Sequence, residues 1–212
     1  TLPMMEVIVT HFKPFFLGML ICMAGYVLFY IMIAFSQIYA KSTPTVSEAG
    51  YAMGLGFSPQ IFTALLMCSA ISLAITIAIS GKYIDIVGRR IWLIWTTFGV
   101  AIFGLALPYF LDNGTTTSLF WFLMIGMGLI GMGYGPLASF LPELFPTHAR
   151  YSGASLTYNI SGLFGASVAA IIALPLNANY GLKGVGIYLT LNAVLSLIGL
   201  WFITETKDKH LA

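Results

Sequence analysis

The chain reads as long apolar runs separated by short polar stretches. Residues 15–40 carry no charge between Lys13 and Lys41, and a second run covers 61–80, preceded by Ser58 and Pro59 as a plausible N-cap and first helical residue. Further uncharged stretches occupy 91–111, 113–142, 151–182 and 184–204, bounded by turn formers such as Asp112-Asn113-Gly114 and Asn179-Tyr180-Gly181. About 20 apolar residues cross a bilayer core as a helix, so each run is long enough. Segments such as 71–79 and 119–129 lack the apolar–polar alternation of a barrel strand. The pattern predicts an all-α integral membrane protein with six transmembrane helices, at about 15–40, 61–80, 91–111, 119–141, 154–176 and 185–203. Residues 1–14 then form a cytoplasmic segment and 205–212 a cytoplasmic tail.

Composition agrees with this pattern. Of 212 residues, 59% are hydrophobic and only 8% charged, and the mean hydropathy is +0.94. A soluble domain carries about 25% charged residues. A disordered chain needs low hydrophobicity and high charge, and a nucleic-acid binder needs a basic face that a net charge of +2 does not supply. Assigned to alternate loops, Lys13, Lys82, Arg89, Arg90, Arg150, Lys207 and Lys209 fall on one side and only Lys41 and Lys183 on the other. The positive-inside rule makes the richer side cytoplasmic, together with both termini. Cys22 and Cys68 lie within the first two spans and read as small apolar fillers rather than a disulfide. The first 13 residues lack the cleavage site of a signal peptide, and the missing initiator Met suggests a fragment.

Two loops on the cytoplasmic side are richly patterned: GKYIDIVGRR (81–90) and PELFPTHARYSG (142–153). In the first, Gly81 ends one helix, Asp85 places a carboxylate at the membrane surface, Gly88 permits a turn, and Arg89 and Arg90 anchor the next helix in the headgroups. A plain positive-inside loop would also account for the arginines. Span four is glycine-rich. Gly128, Gly131 and Gly135 share one face, and Gly135-Pro136 would bend the helix near its cytoplasmic end. That face serves either tight packing alone or a helix that also slides during a transport cycle. Span five repeats the theme with Ser161, Gly162, Gly165, Ala166 and Ala169.

These loops carry a family resemblance. GKYIDIVGRR fits G-x3-D-x2-G-R-R and resembles the signature loop of the major facilitator superfamily, in the copy between helices eight and nine. PELFPTHARYSGASLTYN resembles the P-E-x-F-P-T-x-x-R-x-x-G stretch between helices ten and eleven of the metabolite:proton symporters, the group of proline/betaine, shikimate and α-ketoglutarate permeases. The Tyr158-Asn159 pair is similar to that group as well. The resemblance covers essentially the whole chain and implies the C-terminal half of a twelve-helix carrier, built as a 3+3 inverted repeat. It implies that Asp85 faces the N-terminus of span five, with Glu143, Arg89, Arg90 and Arg150 as an adjoining charge cluster that latches the cytoplasmic side. His148 stands where the family usually has Arg, which either makes the latch weaker and pH-sensitive or leaves a solvated loop histidine.

Candidates for the substrate path are polar groups that a lipid-facing helix would not carry. Tyr26, Tyr30 and Gln37 share a face of span one at i, i+4 and i+11, with both tyrosines near the midplane. They line a cavity or hydrogen-bond a neighbouring helix. Asn159 and Asn192 read as buried amides in need of partners, and Trp121 as an interfacial belt residue. No acidic residue or histidine falls mid-span, so a proton relay, which needs an intramembrane ionisable group, would have to lie in a preceding half. No enzyme signature, metal-ligand set or cofactor motif is present. The sequence thus predicts proton-coupled transport of a small organic solute, a carboxylate or zwitterion, by alternating access in a bacterial inner membrane, with the lipid bilayer, solute and protons as partners and no nucleic acid. The rival expectation is a truncated membrane protein or assembly partner that keeps the half-fold without transporting.

Overall fold

The computed structural model describes residues 3–204. Among them the regular structure is helical, with one isolated bridge between Val46 and Ala52 in a loop. A short α1 (Pro3–Thr10) precedes α2 (Phe12–Lys41), which contains a π turn at Ile31–Phe35. Then come α3 (Pro59–Val87), α4 (Arg89–Leu111) and α5 (Thr116–Glu143). The last helical stretch, Arg150–Phe202, carries a second π turn at Leu163–Ser167 and breaks at Gly181, where φ is 67° and ψ −170°. The break yields α6 (150–180) and α7 (182–202). The helices α2 to α5 and the Arg150–Phe202 stretch are long and apolar enough to cross a membrane, and α2 to α7 occupy the places of spans one to six.

Local chemistry sets the helix ends. Ser58 Oγ accepts from the Ile61 amide at 3.4 Å with Pro59 in the first turn, and Thr115 Oγ1 accepts from the Ser118 amide at 3.2 Å. The expectation that Gly81 ends a helix is corrected, because α3 continues for almost two further turns to Val87. Nothing lies within 4 Å of where a Gly81 Cβ would sit, and KYIDIV contains no helix breaker. The chain turns at Gly88, whose φ of 99° is open to glycine and strained for other residues. At the opposite end Gly181 takes positive φ beneath Tyr51, whose Cδ1 would lie 2.6 Å from an added Cβ. The loop between α2 and α3 is thereby seated on the α6–α7 break, and the buried Asn177 amide donates to the Ala52 carbonyl at 3.1 Å.

Small residues and hydroxyls join the helices, as expected where lipid removes the hydrophobic drive for association. Cβ atoms at Gly128, Gly131 and Gly135 would all meet α3, the second 2.6 Å from the Leu73 carbonyl oxygen. The glycine face of α5 is therefore the seat of α3. Ser72 Oγ donates to the Met124 carbonyl at 2.9 Å across that seam. Trp92 Nε1 ties α4 to Met132 of α5 at 2.9 Å, Thr190 Oγ1 ties α7 to Ala101 of α4 at 3.0 Å, and Ser196 Oγ ties α7 to Leu20 of α2 at 2.6 Å. Ser161 of α6 donates to Met19 of α2 at 3.2 Å. The apolar core gathers Val27, Met32, Phe35, Phe103, Phe122 and Leu189 from α2, α4, α5 and α7. The outer helix α3 is buried along little of its length and exposes Met67, Ile71 and Ile75.

Candidate functional site

The signature loop folds into a compact ionic group. With α4 starting directly after Gly88, Arg89 lies one turn beyond Asp85, and its Nη2 stands 3.6 Å from Asp85 Oδ1. Its other terminal nitrogen, Nη1, pairs with Glu143 Oε1 at the end of α5. The two pairs differ in solvent access. The Arg89 and Glu143 side chains retain only 19% and 11% exposure, whereas Asp85 retains 72%. Screening therefore weakens the Asp85 pair far more than the Glu143 pair.

The remaining basic residues are engaged elsewhere. Arg90 Nε donates to the Leu200 carbonyl at 2.8 Å and Nη2 to that of Trp201 at 3.1 Å, placing a cation on the C-terminal carbonyls of α7, where the helix dipole favours it. Arg150 donates from Nη2 to Thr147 Oγ1 at 3.5 Å. Of the five expected cluster members, the structure thus joins Asp85, Arg89 and Glu143. The expectation that Asp85 faces the N-terminus of span five is also corrected. The glycine face of α5 seats α3 against α5, and α3 makes no contact with α6. His148 stands beside His11, with ring centroids 6.2 Å apart.

Between the helices lies a cavity of about 290 Å³, walled mainly by apolar side chains and reached by Tyr26, Tyr134 and Tyr158. The Tyr26 and Tyr158 rings are 5.0 Å apart and tilted by 54°. Tyr134 and Tyr158 border both this cavity and a neighbouring groove. Gly162 and Gly165 make the arrangement possible, because Cβ atoms there would stand 3.1 Å and 2.7 Å from Tyr26. Among the described residues no ionisable acid or base other than tyrosine and cysteine lines the cavity. Mostly apolar walls with a few convergent hydroxyls are the usual make-up of a small-molecule site.

The other sequence candidates divide. Tyr30 does not line this cavity; its hydroxyl donates to the Ala170 carbonyl of α6 at 3.4 Å, a helix-to-helix contact. Gln37 does not share its face either. The π turn at Ile31–Phe35 inserts one extra residue and rotates the helix beyond it by about 100°. Gln37 instead borders a separate groove with Ala34, Ile38, Lys41 and Ser42. Asn159 is exposed rather than buried and donates to its own helix at Ser155 O, 2.8 Å away. It borders a second, larger groove of about 630 Å³ with Thr147, Arg150 and Ser155. Asn192 is buried and donates to the Tyr188 carbonyl at 2.9 Å. Sequence reading passed over Tyr134, which stands alone as a phenol among the small residues of GMGYGP and could have been marked by that contrast. Near the opposite helix ends, burial raises the Asp112 carboxyl above its ordinary range, opposed by Lys183.

Comparison with known proteins shows the family of the chain. The family model described as "Sugar (and other) transporter" matches residues 52–212. A Haemophilus influenzae protein provisionally named for metabolite transport is 89% identical over 100% of this chain and 47% of its own length. The inner membrane metabolite transport protein YhjE of Escherichia coli is 37% identical over 99% of this chain and 46% of its own. The glycine betaine/proline/ectoine/pipecolic acid transporter OusA of Dickeya dadantii is 26% identical over 97% of this chain and 39% of its own. The chain spans about half the length of these relatives or less. No solved structure matches it. With its paired ionic loop and its tyrosine-lined cavity between membrane-length helices, the chain belongs to the sugar (and other) transporter family of the major facilitator superfamily.

Proposed function

We propose that this chain is the C-terminal half of a carrier that moves a small organic solute, a carboxylate or zwitterion, by alternating access and proton symport. The observation that carries the reading is the Tyr26–Tyr134–Tyr158 cavity. Tyrosine faces attract an ammonium or quaternary nitrogen, and OusA, named for glycine betaine and proline, is a relative that handles such solutes. Among the described residues no carboxylate lines the cavity, and we assign the coupling proton to the preceding half. The loop end with Asp85 and Arg89 is assigned to the cytoplasm, with both termini there, and the membrane to the bacterial inner membrane for which YhjE is named.

A 3+3 inverted repeat is part of this proposal, and the helix neighbours support it. Pairing α2 with α5, α3 with α6 and α4 with α7 leaves the packing order unchanged. The α3–α5 seam at Ser72 then corresponds to the α6–α2 seam at Ser161. The α5–α4 contact at Trp92 corresponds to the α2–α7 contact at Ser196, and the α4–α7 contact at Thr190 maps onto itself. In carriers so built the site lies at the repeat interface, near the midplane.

In this reading Asp85, Arg89 and Glu143 are the latch, with Gly88 setting their register, while Gly81, Arg90 and Arg150 stand outside it. The test is uptake of labelled glycine betaine and proline into proteoliposomes holding either the full-length carrier or the 212-residue chain alone. Proton-gradient-dependent accumulation by the full-length carrier only is the expected result. Accumulation by the chain alone would overturn its assignment as one half, and silence of both preparations would favour a non-transporting membrane protein.

A further inference from the structure

We infer that Arg150 forms an anion subsite, a second station on the path, which holds the solute carboxylate between the tyrosine cavity and the loop end. The inference rests on the transport reading above. Its ground is the groove of about 630 Å³, which shares Tyr134, Leu137 and Tyr158 with the cavity and continues it toward the loop that carries Arg150. Among the described residues Arg150 is the only charged side chain on the groove wall.

Its donors are poorly used. Nη2 reaches Thr147 Oγ1 at the long distance of 3.5 Å, and Nε is buried without a hydrogen-bond partner. Among the described residues both ion pairs belong to Arg89, and Glu143, seven positions before Arg150, is taken by one of them. A guanidinium fork with idle donors suits a carboxylate, which accepts two parallel bonds from it, and a buried donor left unpaired gains when a ligand supplies an acceptor. Arg150 also opens α6, whose N-cap Ala149 offers no side-chain acceptor, so the positive helix end adds to the same field. Ser155 and Asn159 supply neutral polar groups along the wall.

Backbone position sets Arg150 on the loop side of the cavity. Tyr158 lies eight residues further along α6, about 12 Å of helix rise at 1.5 Å per residue, and the solute passes from one to the other along the groove that both border. A latch residue would affect both transport directions, whereas a loop-side station affects binding from its own side.

The test is sided transport of labelled glycine betaine and proline by the full-length carrier in oriented proteoliposomes, comparing the wild type with Arg150→Gln and Arg150→Lys. Arg150→Gln is expected to raise the loop-side KM about tenfold while leaving the opposite-side KM within twofold, and Arg150→Lys to fall between. Choline, which keeps the onium group and lacks the carboxylate, is expected to compete equally well at the loop side of wild type and Arg150→Gln. Transport with an unchanged loop-side KM in Arg150→Gln overturns the subsite and leaves the transport reading intact. Equal losses on both sides with lowered thermal stability assign Arg150 to packing and overturn the subsite too. Failure of the wild type to move either probe overturns the solute class and the subsite together.

Discussion

Arg89 at the start of α4 is ion-paired with Glu143 at the end of α5, joining two helix ends that lie 54 positions apart in the chain. Both side chains are largely withdrawn from water, so removing one partner strands the other. Breaking a fully buried pair costs about 3–5 kcal/mol, and the residual exposure here lowers that to about 2–4 kcal/mol for Glu143→Gln. Denaturant unfolding in detergent measures it. Arg89→Met combined with Glu143→Leu should recover most of the loss, since neither buried charge then remains and the Asp85 carboxylate left without its partner is exposed to water. Stability unchanged in the single variant would show that the pair does not hold the helix ends.

Asp85 pairs with the same arginine from the exposed side, and here the expectation separates stability from transport. An i,i+4 pair at 3.6 Å with a 72% exposed carboxylate contributes no more than about 0.5 kcal/mol. Asp85→Asn should leave expression and unfolding nearly untouched while slowing uptake by the full-length carrier, if the carboxylate meets a group across the half-to-half interface. Normal uptake by this variant would remove Asp85 from the latch.

The glycines provide a paired stability test. A Cβ at Gly131 would lie 2.6 Å from the Leu73 carbonyl oxygen of α3, a backbone atom that cannot step aside without moving the helix. Gly131→Ala should cost about 1–3 kcal/mol, the usual range for overpacking. Gly81, on α3 itself, has nothing within 4 Å, and alanine there gains up to about 1 kcal/mol in helix propensity. Opposite shifts in melting temperature are expected. Equal shifts would mean that the α3–α5 seam is looser than the structure has it.

How far the molecule was legible in its sequence depends on what each feature rests on. Membrane-length helices follow from hydrophobic run length, a local property, and Ser58-Pro59 marks the start of α3 because capping is local too. Gly81 misled because glycine is tolerated inside an exposed helix, and nothing in GKYIDIV distinguishes an interior glycine from a terminal one. Gln37 misled because a π turn has no reliable sequence mark, and one inserted residue moves every later position around the helix. The cavity was half legible. Tyr26 stood out by depth, whereas its meeting with Tyr134 and Tyr158 depends on Gly162 and Gly165 admitting the ring, a fact of tertiary packing. The geometry of the Asp85–Arg89–Glu143 ion pairs depends on which face of α5 seats α3, and a shared glycine face does not name its partner helix.

Tyr158 and Tyr30 carry the same phenol on facing helices, and the structure gives them different surroundings. Tyr158 packs its ring 5.0 Å from that of Tyr26 and, with Tyr134, borders both the cavity and the groove. Tyr30 spends its hydroxyl on the Ala170 carbonyl at 3.4 Å, outside the cavity. Interhelical hydrogen bonds in membranes average about 0.6 kcal/mol, so Tyr30→Phe should lower stability by that order and leave the KM for glycine betaine unchanged. Tyr158→Phe keeps the ring and its cation–π attraction but removes one of the three hydroxyls at the cavity, changing how it presents its polar groups. Its KM should shift about three- to tenfold, consistent with about 1 kcal/mol for a neutral hydrogen bond. Uptake kinetics of the two variants in the full-length carrier decide between them. A KM shift in Tyr30→Phe with none in Tyr158→Phe would move the site from the three-tyrosine cavity to the α2–α6 seam.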